Sequence, residues 1–280
     1  METIAIVGVG LIGGSFGLAL RRAGFRGDIL GVSSKGALQS ALERGAIDEG
    51  LPLEKAVAAA DVVYLSGTIG RILENLRVID PWLRPGTLVT DAGSTKVAIM
   101  EQARKSITRG EFLGGHPMAG KETRGVSEAD ADLFSGRPYV LTPADPSQPE
   151  SAAVRDFVDW LNRIGAVPIL LRAEEHDLVV GFTSHLPQLA STALAATLAE
   201  NLMSRQSTRV AGSGLTDMTR LAMSSYEIWR DILETNAASI DRALAAYIAK
   251  LETIRRNLRK PEVGEEFKKA EYFSKIIRGV

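Results

Sequence analysis

Short apolar runs alternate with amphipathic segments through the first part of the chain. The run TIAIVG at residues 3–8 is rich in β-branched side chains, which is typical of a buried strand. Helical spacing follows in SFGLALRRAG at 15–24, which ends in a glycine, and GDILGVSS at 27–34 predicts a second strand. Strand, glycine-rich turn, helix and strand thus fill about 30 residues, the length of a nucleotide-binding βαβ unit.

The alternation continues and predicts an α/β fold. Strands and helices that follow one another in this way form a mostly parallel sheet with helices on both faces. The segments LEKAVAAA (53–60) and RILENLRVIDPWL (71–83) have helical spacing. Further strands are predicted at ADVVYLSG (60–67), GTLVTDAGS (86–94), EFLGGHP (111–117), RPYVLTP (137–143) and VPILLR (167–172).

The pattern becomes helical in the last part of the chain. Residues 174–203 and 214–236 have helical spacing, and Pro187 is predicted to break or kink the first of these segments. A single apolar seam then recurs every three or four residues, formed by Ile240, Leu244, Tyr247, Leu251, Ile254 and Leu258. One helix cannot bury such a seam alone, so it must pack on its own domain or on a second subunit. We therefore predict a dinucleotide-binding domain at 1–172 and an all-helical domain at 173–280.

Composition narrows the possible functions. The chain has 280 residues, of which 45% are hydrophobic and 24% charged, the usual balance of a soluble globular protein. Its net charge of -1 predicts no nucleic-acid partner and no attraction to anionic membranes. With no cysteine and three histidines, we predict no metal site. The uncharged stretch Ile4–Leu20 lacks a preceding basic segment and is rich in glycine, which favours a cytoplasmic protein over one with a signal or anchor.

The glycine-rich turn has the spacing of a Rossmann-type phosphate-binding turn. Gly8 permits the tight turn, Gly10 lets the backbone approach a pyrophosphate, and Gly13 lets helix and strand pack closely. Leu11 and Ile12, which stand between these glycines, are also assigned to the dinucleotide. The free N–H groups and positive dipole end at the start of the following helix attract phosphate. The alternative is a glycine-rich turn that only packs.

Polar residues follow several of the predicted strands. Ligands of such sheets bind beyond the carboxyl ends of the strands. We therefore predict that Ser66, Thr68 and Asp91 contact the dinucleotide, and that Ser94 and His116 lie beside it. This position favours a functional histidine over a structural one.

The end of the second strand bears on the choice of dinucleotide. A site specific for NAD usually has an acidic residue there to bind the ribose 2′-hydroxyl. The chain has Ser33, Ser34 and Lys35 instead, and hydroxyls with a lysine can accept a 2′-phosphate. The sequence therefore leaves NADP and NAD both open and slightly favours NADP, unless these residues are an exposed turn without a function.

Several motifs resemble those of the prephenate/arogenate dehydrogenase family of tyrosine biosynthesis. The resemblance runs from residue 4 to about 236 and implies a homodimer held together by the helical domain, with an active site in the cleft between the domains. It gives the further expectation that no chorismate mutase domain precedes this chain and no regulatory domain follows it. The motifs, in order, are GVGLIGGS, DAGSTK, GGHPMAGKETRG, LFSGRPYVLTP, EEHD, SHLPQLAS and DMTRLAMSSYEIWRDIL.

The resemblance also implies roles for individual residues. His116 matches the catalytic histidine, and Ser94 matches the serine that positions it and the nicotinamide. Arg220 matches the arginine that binds a substrate carboxylate, accompanied by Asp217, three residues earlier on the same helix face. The alternative is that these two residues form only a surface ion pair. The other residues assigned to the substrate side are Lys121, Glu122, His185 and Gln188.

The resemblance implies a reaction but leaves the substrate open. Hydride would leave C4 of a cyclohexadienol for the nicotinamide, the histidine would take the hydroxyl proton, and the ring would lose CO2. Many members have a second histidine where Gln188 stands and threonine or serine where Lys121 stands. Prephenate and arogenate, which differ in their side chain, therefore both remain candidates.

Two alternative functions are less well supported by the sequence, and one further histidine has an expected structural role. A β-hydroxyacid dehydrogenase would need a lysine in a comparable helical-domain motif, and we see none. A dinucleotide-binding sensor without turnover would have no need for Ser94, His116 and Arg220 together. His176 stands among charges in EEHD and is expected to be a solvated residue at a helix start.

Overall fold

The first half of the protein is built on one mixed sheet. A computed structural model describes residues 1–121, 123–202 and 209–279. Within these residues the sheet has the strand order β3-β2-β1-β4-β5-β6-β7-β8, in which β7 runs antiparallel to β6 and all other neighbours are parallel. The strands are β1 Thr3–Val7, β2 Asp28–Val32, β3 Glu49–Gly50, β4 Val62–Leu65, β5 Leu88–Asp91, β6 Glu111–Pro117, β7 Pro138–Thr142 and β8 Val167–Leu170.

Helices cover the sheet and form most of the second half of the described chain. Those of the first half are α1 Leu11–Arg22, α2 Lys35–Glu43, α3 Leu53–Ala59, α4 Ile69–Val78, α5 Val97–Ser106 and α6 Ala152–Arg163. Those of the second half are α7 Ala173–Val180, α8 Leu186–Asn201, α9 Ser213–Thr219, α10 Tyr226–Thr235, α11 Ala237–Arg256 and α12 Val263–Arg278. The predicted α/β fold with a helical second half is confirmed.

The sheet is buried on both faces, which explains its continuous apolar runs. One core cluster includes Ile4 and Ile6 of β1 and the stacked rings of Phe16 and Tyr64, whose centroids are 4.2 Å apart. A second cluster includes Ala5 and packs against α4 and α5 on the other face. The uncharged stretch at the N-terminus therefore folds as β1 and α1, inside the core.

The interruption predicted at Pro187 has a specific form. Residues Gly181–His185 make a π-helical turn, and Pro187 lies in the first turn of α8 directly after it. Because proline has no N–H to donate four residues back, the helical hydrogen bonds are rearranged at this point and the chain still continues as a helix.

The apolar seam is only partly buried. Ile240 is 5% exposed, whereas Leu251 is 47% exposed and Leu258 lies beyond the end of α11. Helix α12 adds further exposed apolar side chains, among them Phe267 and Phe273. None of the helices in the described part of the chain combines the length and the apolar character needed to span a bilayer.

Candidate active site

Two adjoining clefts open at the carboxyl ends of the strands. The first, about 530 Å³, follows the glycine-rich turn and the ends of β2, β4 and β5. The second, about 400 Å³, lies between the end of β6 and the helical half. Ser94, Ala119, Gly120 and Lys121 line both clefts, so a ligand in one would lie next to a ligand in the other.

The glycine-rich turn fits a pyrophosphate. Gly8 has φ +103°, and a Cβ there would lie 2.7 Å from the backbone nitrogen of Gly67. A Cβ on Gly13 would lie 2.4 Å from the carbonyl oxygen of Gly8, whereas one on Gly10 would meet no atom within 4 Å. The turn is therefore tight on its packed side and open on the cleft side. Because no side chain caps α1 at Gly10, its first N–H groups face the cleft without a side-chain partner.

Most residues assigned to the dinucleotide lie at the first cleft. The predicted residues that line it are Gly8, Gly10, Leu11, Ile12, Ser33, Ser66 and Thr68. Gly13 packs beneath the turn, and the hydroxyl of Ser66 donates to the carbonyl oxygen of Gly8 at 2.9 Å. Ser34 caps α2 by accepting from the N–H of Ala37 at 3.4 Å, and Lys35 is exposed beside it, just outside the cleft lining.

The assignment of Asp91 to the dinucleotide needs correction. Its side chain is fully buried and paired with the ammonium of Lys96, which is also fully buried. Asp91 also accepts from the N–H groups of Gly93 at 2.8 Å and Gly115 at 3.0 Å. A carboxylate this fully engaged holds the end of β5 to β6 and lies outside both cleft linings.

The expectation that His176 is solvated is wrong. His176 is fully buried, and its Nε2 lies 2.8 Å from Nδ1 of His116. Its Nδ1 lies 2.7 Å from Oδ1 of Asp177. His116 lines the second cleft, so a continuous line of polar side chains runs from this cleft into the interior.

Burial keeps the histidines of this line neutral. It lowers the pKa of His116 well below 6.5, and the nearby His176 and the ammonium of Lys96 lower it further. Burial also lowers the pKa of His176, against the opposing effect of the Asp177 carboxylate. The pKa of Lys96 is lowered by burial too, although Asp91 favours its charged form. His116 is therefore a neutral imidazole near physiological pH and can accept a proton.

The second cleft joins the two halves of the chain. Its lining includes Ser94, His116 and Lys121 from the first half, and Gln188 and Arg220 from the helical half. The Gln188 amide donates to the carbonyl oxygen of Leu221 at 2.8 Å, and Lys121 Nζ donates to Asp130 at 3.1 Å.

Of the three other residues assigned to the substrate, two are not among those that line the second cleft, and the third cannot be placed. His185 is 1% exposed and is not among the lining residues; it packs edge-on against Trp229, which does line the cleft, and Asn236 contacts its Nδ1 at 3.2 Å. Asp217 is exposed on α9 and is not among the residues that line either cleft. Glu122 lies outside the described residues.

Sequence reasoning missed Lys96, His176 and Asp177. The signal for them lay in the chain: DAGSTK places a lysine just after a strand end, and EEHD pairs a histidine with a carboxylate. Their shared neighbourhood was hidden because His116 and His176 are 60 positions apart along the chain.

Comparisons with known proteins identify the family to which this chain is similar. Residues 16–170 match the model of the prephenate dehydrogenase nucleotide-binding domain, and residues 172–275 match that of the prephenate dehydrogenase dimerization domain. The prephenate dehydrogenase of Lactococcus lactis subsp. cremoris is 37% identical over 240 residues, 84% of this chain. This chain spans 65% of that relative's length.

Two solved structures share the whole described architecture. The prephenate dehydrogenase from A. aeolicus, in complex with hydroxyphenyl propionate and NAD+, has a TM-score of 0.90 and 31% identity; the match covers 99% of this chain and 98% of that one. The Synechocystis arogenate dehydrogenase has a TM-score of 0.81 and 30% identity, over 98% of this chain and 99% of the other.

Proposed function

The chain belongs to the prephenate dehydrogenase family, and from this premise we propose that it oxidatively decarboxylates prephenate or arogenate with NAD(P)+ in tyrosine biosynthesis. The products would be 4-hydroxyphenylpyruvate or tyrosine. The observation that carries the proposal is the neutral His116 at the second cleft, with Ser94 where this cleft meets the glycine-rich one. One cleft would hold the cyclohexadienol and the other the dinucleotide.

The chemistry needs a base and orientation, and the site supplies both. In the first cleft, a nicotinamide dinucleotide would supply the acceptor for the hydride that leaves C4 of the substrate. His116 takes the proton of the C4 hydroxyl, and the Ser94 hydroxyl, at the junction of the clefts, orients that group. The C1 carboxylate leaves as CO2, its bonding electrons complete the aromatic ring, and the 4-oxygen of the product regains the proton from His116.

The carboxylate lost as CO2 is proposed to bind Arg220. An ionised carboxylate that enters a partly apolar cleft needs a charged partner there. Arg220 lines the second cleft from the helical half, opposite His116 and Ser94 on the sheet side. A guanidinium fork can bind both oxygens of the carboxylate at once. Lys121 and Gln188, on the same cleft, are the candidates to contact the substrate side chain, in which prephenate and arogenate differ.

We propose NADP as the preferred dinucleotide. Ser33 lines the first cleft, and Ser34 and Lys35 follow it at the start of α2. No carboxylate stands at the end of β2, where a ribose 2′-hydroxyl would require one. The lysine and the two hydroxyls offer donors to a 2′-phosphate instead.

The same premise supports a homodimer formed through the helical half. The exposed apolar side chains of α11 and α12, which include Leu251, Phe267 and Phe273, need a covering surface. The second family model that matches is described as a dimerization domain. The cytoplasmic location and the domain division at residue 172 stay predictions.

The experiment that tests the proposed function combines two substrates with two dinucleotides. Purified protein is incubated with prephenate or arogenate, each with NAD+ or NADP+, and reduced nicotinamide and CO2 are both followed. Equal amounts of both products are expected with at least one substrate, and NADP+ should give the higher kcat/KM. If all four mixtures give no reduced nicotinamide, the chain is not an enzyme of this reaction and the sensor interpretation gains support.

A further inference from the structure

The carboxylate of Asp177 is held as a pure acceptor. Its Oδ1 accepts from the backbone N–H of Lys96 at 2.7 Å, and its Oδ2 accepts from that of Val97 at 2.9 Å. These two N–H groups begin α5, where the helix dipole favours a negative charge. The amide of Asn236 donates to the backbone carbonyl of Asp177 at 2.8 Å and fixes the residue from a third side.

This arrangement sets the direction of the next hydrogen bond. A carboxylate has no hydrogen to give, so the contact of 2.7 Å between Asp177 and Nδ1 of His176 requires a hydrogen on that nitrogen. A neutral imidazole has only one N–H, so Nε2 of His176 is an acceptor. The contact of 2.8 Å between this Nε2 and Nδ1 of His116 is then donated by His116.

The same argument shows which nitrogen of His116 has the hydrogen. Burial favours the neutral ring in both histidines, so His116 also has a single N–H, which Nδ1 uses. Its Nε2 is left without a hydrogen, on a ring that lines the second cleft. The opposite tautomer would present an N–H to the substrate hydroxyl and could not accept its proton.

We propose that His176 and Asp177 form a positioning pair that fixes His116 as the Nδ1–H tautomer and so directs an unprotonated Nε2 into the second cleft. The role of that nitrogen as a base rests on the proposed function, whereas the tautomer itself does not. The pair acts through His116 and does not line either cleft.

The pair also links the base to the packing of the two halves. His116 lies near the end of β6 in the first half, while His176 and Asp177 lie on α7 in the second. The base is therefore correctly oriented only when α7 is seated against the start of α5, because Asp177 caps that helix and orients His176 at the same time.

The direct test is the tautomer of each histidine in the resting protein. The chain has three histidines, so two-dimensional NMR of protein with 15N-labelled histidine gives three ring patterns, and His176→Gln and His116→Asn each identify one of them. We expect both His116 and His176 to be neutral with the hydrogen on Nδ1. A hydrogen on Nε2 of His116, or a charged His176 near neutral pH, would overturn the proposal.

Kinetics of two substitutions provide the second test. His176→Gln keeps an oxygen that can accept from Nδ1 of His116, whereas His176→Phe keeps the ring volume and removes the acceptor. We expect kcat to fall about 10–100-fold in His176→Phe, part of the 10²–10⁴-fold that a general base contributes. The KM values should stay within about threefold, and His176→Gln should recover at least about a third of the wild-type kcat.

The matched control is Thr87→Val. Thr87 donates a buried hydrogen bond of 3.2 Å to the carbonyl of Ala60, just before β5 and away from the clefts. The variant Thr87→Val should lower the melting temperature and leave kcat unchanged. If His176→Phe behaves like this control, or if Gln and Phe reduce kcat equally, the positioning role is wrong. A protein with the expected tautomers but no turnover of either substrate would instead refute the proposed function alone.

Discussion

The ammonium of Lys96 and the carboxylate of Asp91 form an ion pair with no solvent exposure, directly behind β6, the strand that carries His116 near its end. The ammonium also donates to the carbonyl oxygen of Gly115 at 2.7 Å. The pair thus ties the end of β5 to the residue before the proposed base. The positive charge of Lys96 adds to the effect of burial in lowering the pKa of His116.

Breaking this pair from one side should be costly. Asp91→Asn leaves a buried ammonium without its counter-charge, and we expect a loss of about 3–5 kcal/mol in the free energy of unfolding. The double variant Asp91→Leu with Lys96→Met should lose less than the single variant, because no unpaired charge remains. Urea unfolding measures both. An Asp91→Asn protein within about 1 kcal/mol of wild type would mean that the pair is not buried as described.

His116→Asn should fold and bind dinucleotide but lose most turnover. We expect kcat to fall about 10²–10⁴-fold, because asparagine cannot take up the hydroxyl proton. Circular dichroism and dinucleotide titration check that the fold and the first cleft are intact. Activity within a few-fold of wild type would remove His116 from the mechanism.

Stability should fall on the acidic side of neutrality. Burial lowers the pKa of all three histidines, that of His185 to about 4. In the unfolded chain their pKa is near 6.5, so at a pH below about 6.5 each histidine takes up a proton when the protein unfolds. Their contribution to the free energy of unfolding is therefore complete above about pH 7. It is lost as the pH falls through about 6.5 towards the pKa values of the folded state. Each histidine that stays neutral should contribute a slope on the order of 1.4 kcal/mol per pH unit.

Urea unfolding at several pH values between about 7.5 and 5 measures this slope. His176→Gln should reduce the slope by about one histidine's share, since one proton fewer is taken up. A free energy of unfolding that is flat between about pH 6.5 and 5 would show that the buried histidines are not held neutral.

Substitution of Arg220 should affect KM for the cyclohexadienol more than kcat. The substrate carboxylate remains charged until CO2 leaves, so most of the interaction exists in the ground state. A charge-assisted hydrogen bond of this kind corresponds to roughly 10–150-fold in affinity, and Arg220→Lys should recover only part of it. Steady-state kinetics at saturating dinucleotide measure both variants. If both KM values stay within twofold of wild type, Arg220 does not bind the substrate.

Lys35→Ala tests the proposed preference for NADP. Lys35 is exposed at the first position of α2, so its removal should raise KM for NADP+ several-fold and leave KM for NAD+ unchanged. Arg26→Ala is a suitable control, since it removes an exposed cation from the turn before β2, at the opposite end of that strand. Equal effects on both dinucleotides, or a wild-type preference for NAD+, would contradict the assignment.

The sequence by itself determined every strand of the sheet except β3, as well as the glycine-rich turn and the strand ends that carry Ser94 and His116. These are local features: a β-branched apolar run, a helix start or a tight turn is encoded within about ten residues, and the carboxyl ends of parallel strands meet at one edge whatever their side chains. Gly8 and Gly13 could be assigned because only the smallest residue fits the close contacts there. Helices α2, α5 and α6 were not singled out, although each follows a strand as the alternation requires.

Only the tertiary structure decided which polar side chains belong together behind the site. In EEHD, Glu174 and Glu175 face solvent while His176 and Asp177 point inwards, because neighbours on a helix face different directions and α7 packs on α5. Lys96 is likewise an ordinary lysine in the sequence, and its partner Asp91 gave no sign that it points away from the dinucleotide. Burial and hydrogen-bond direction depend on residues far apart in the chain, and these properties give His116 its neutral ring and its tautomer.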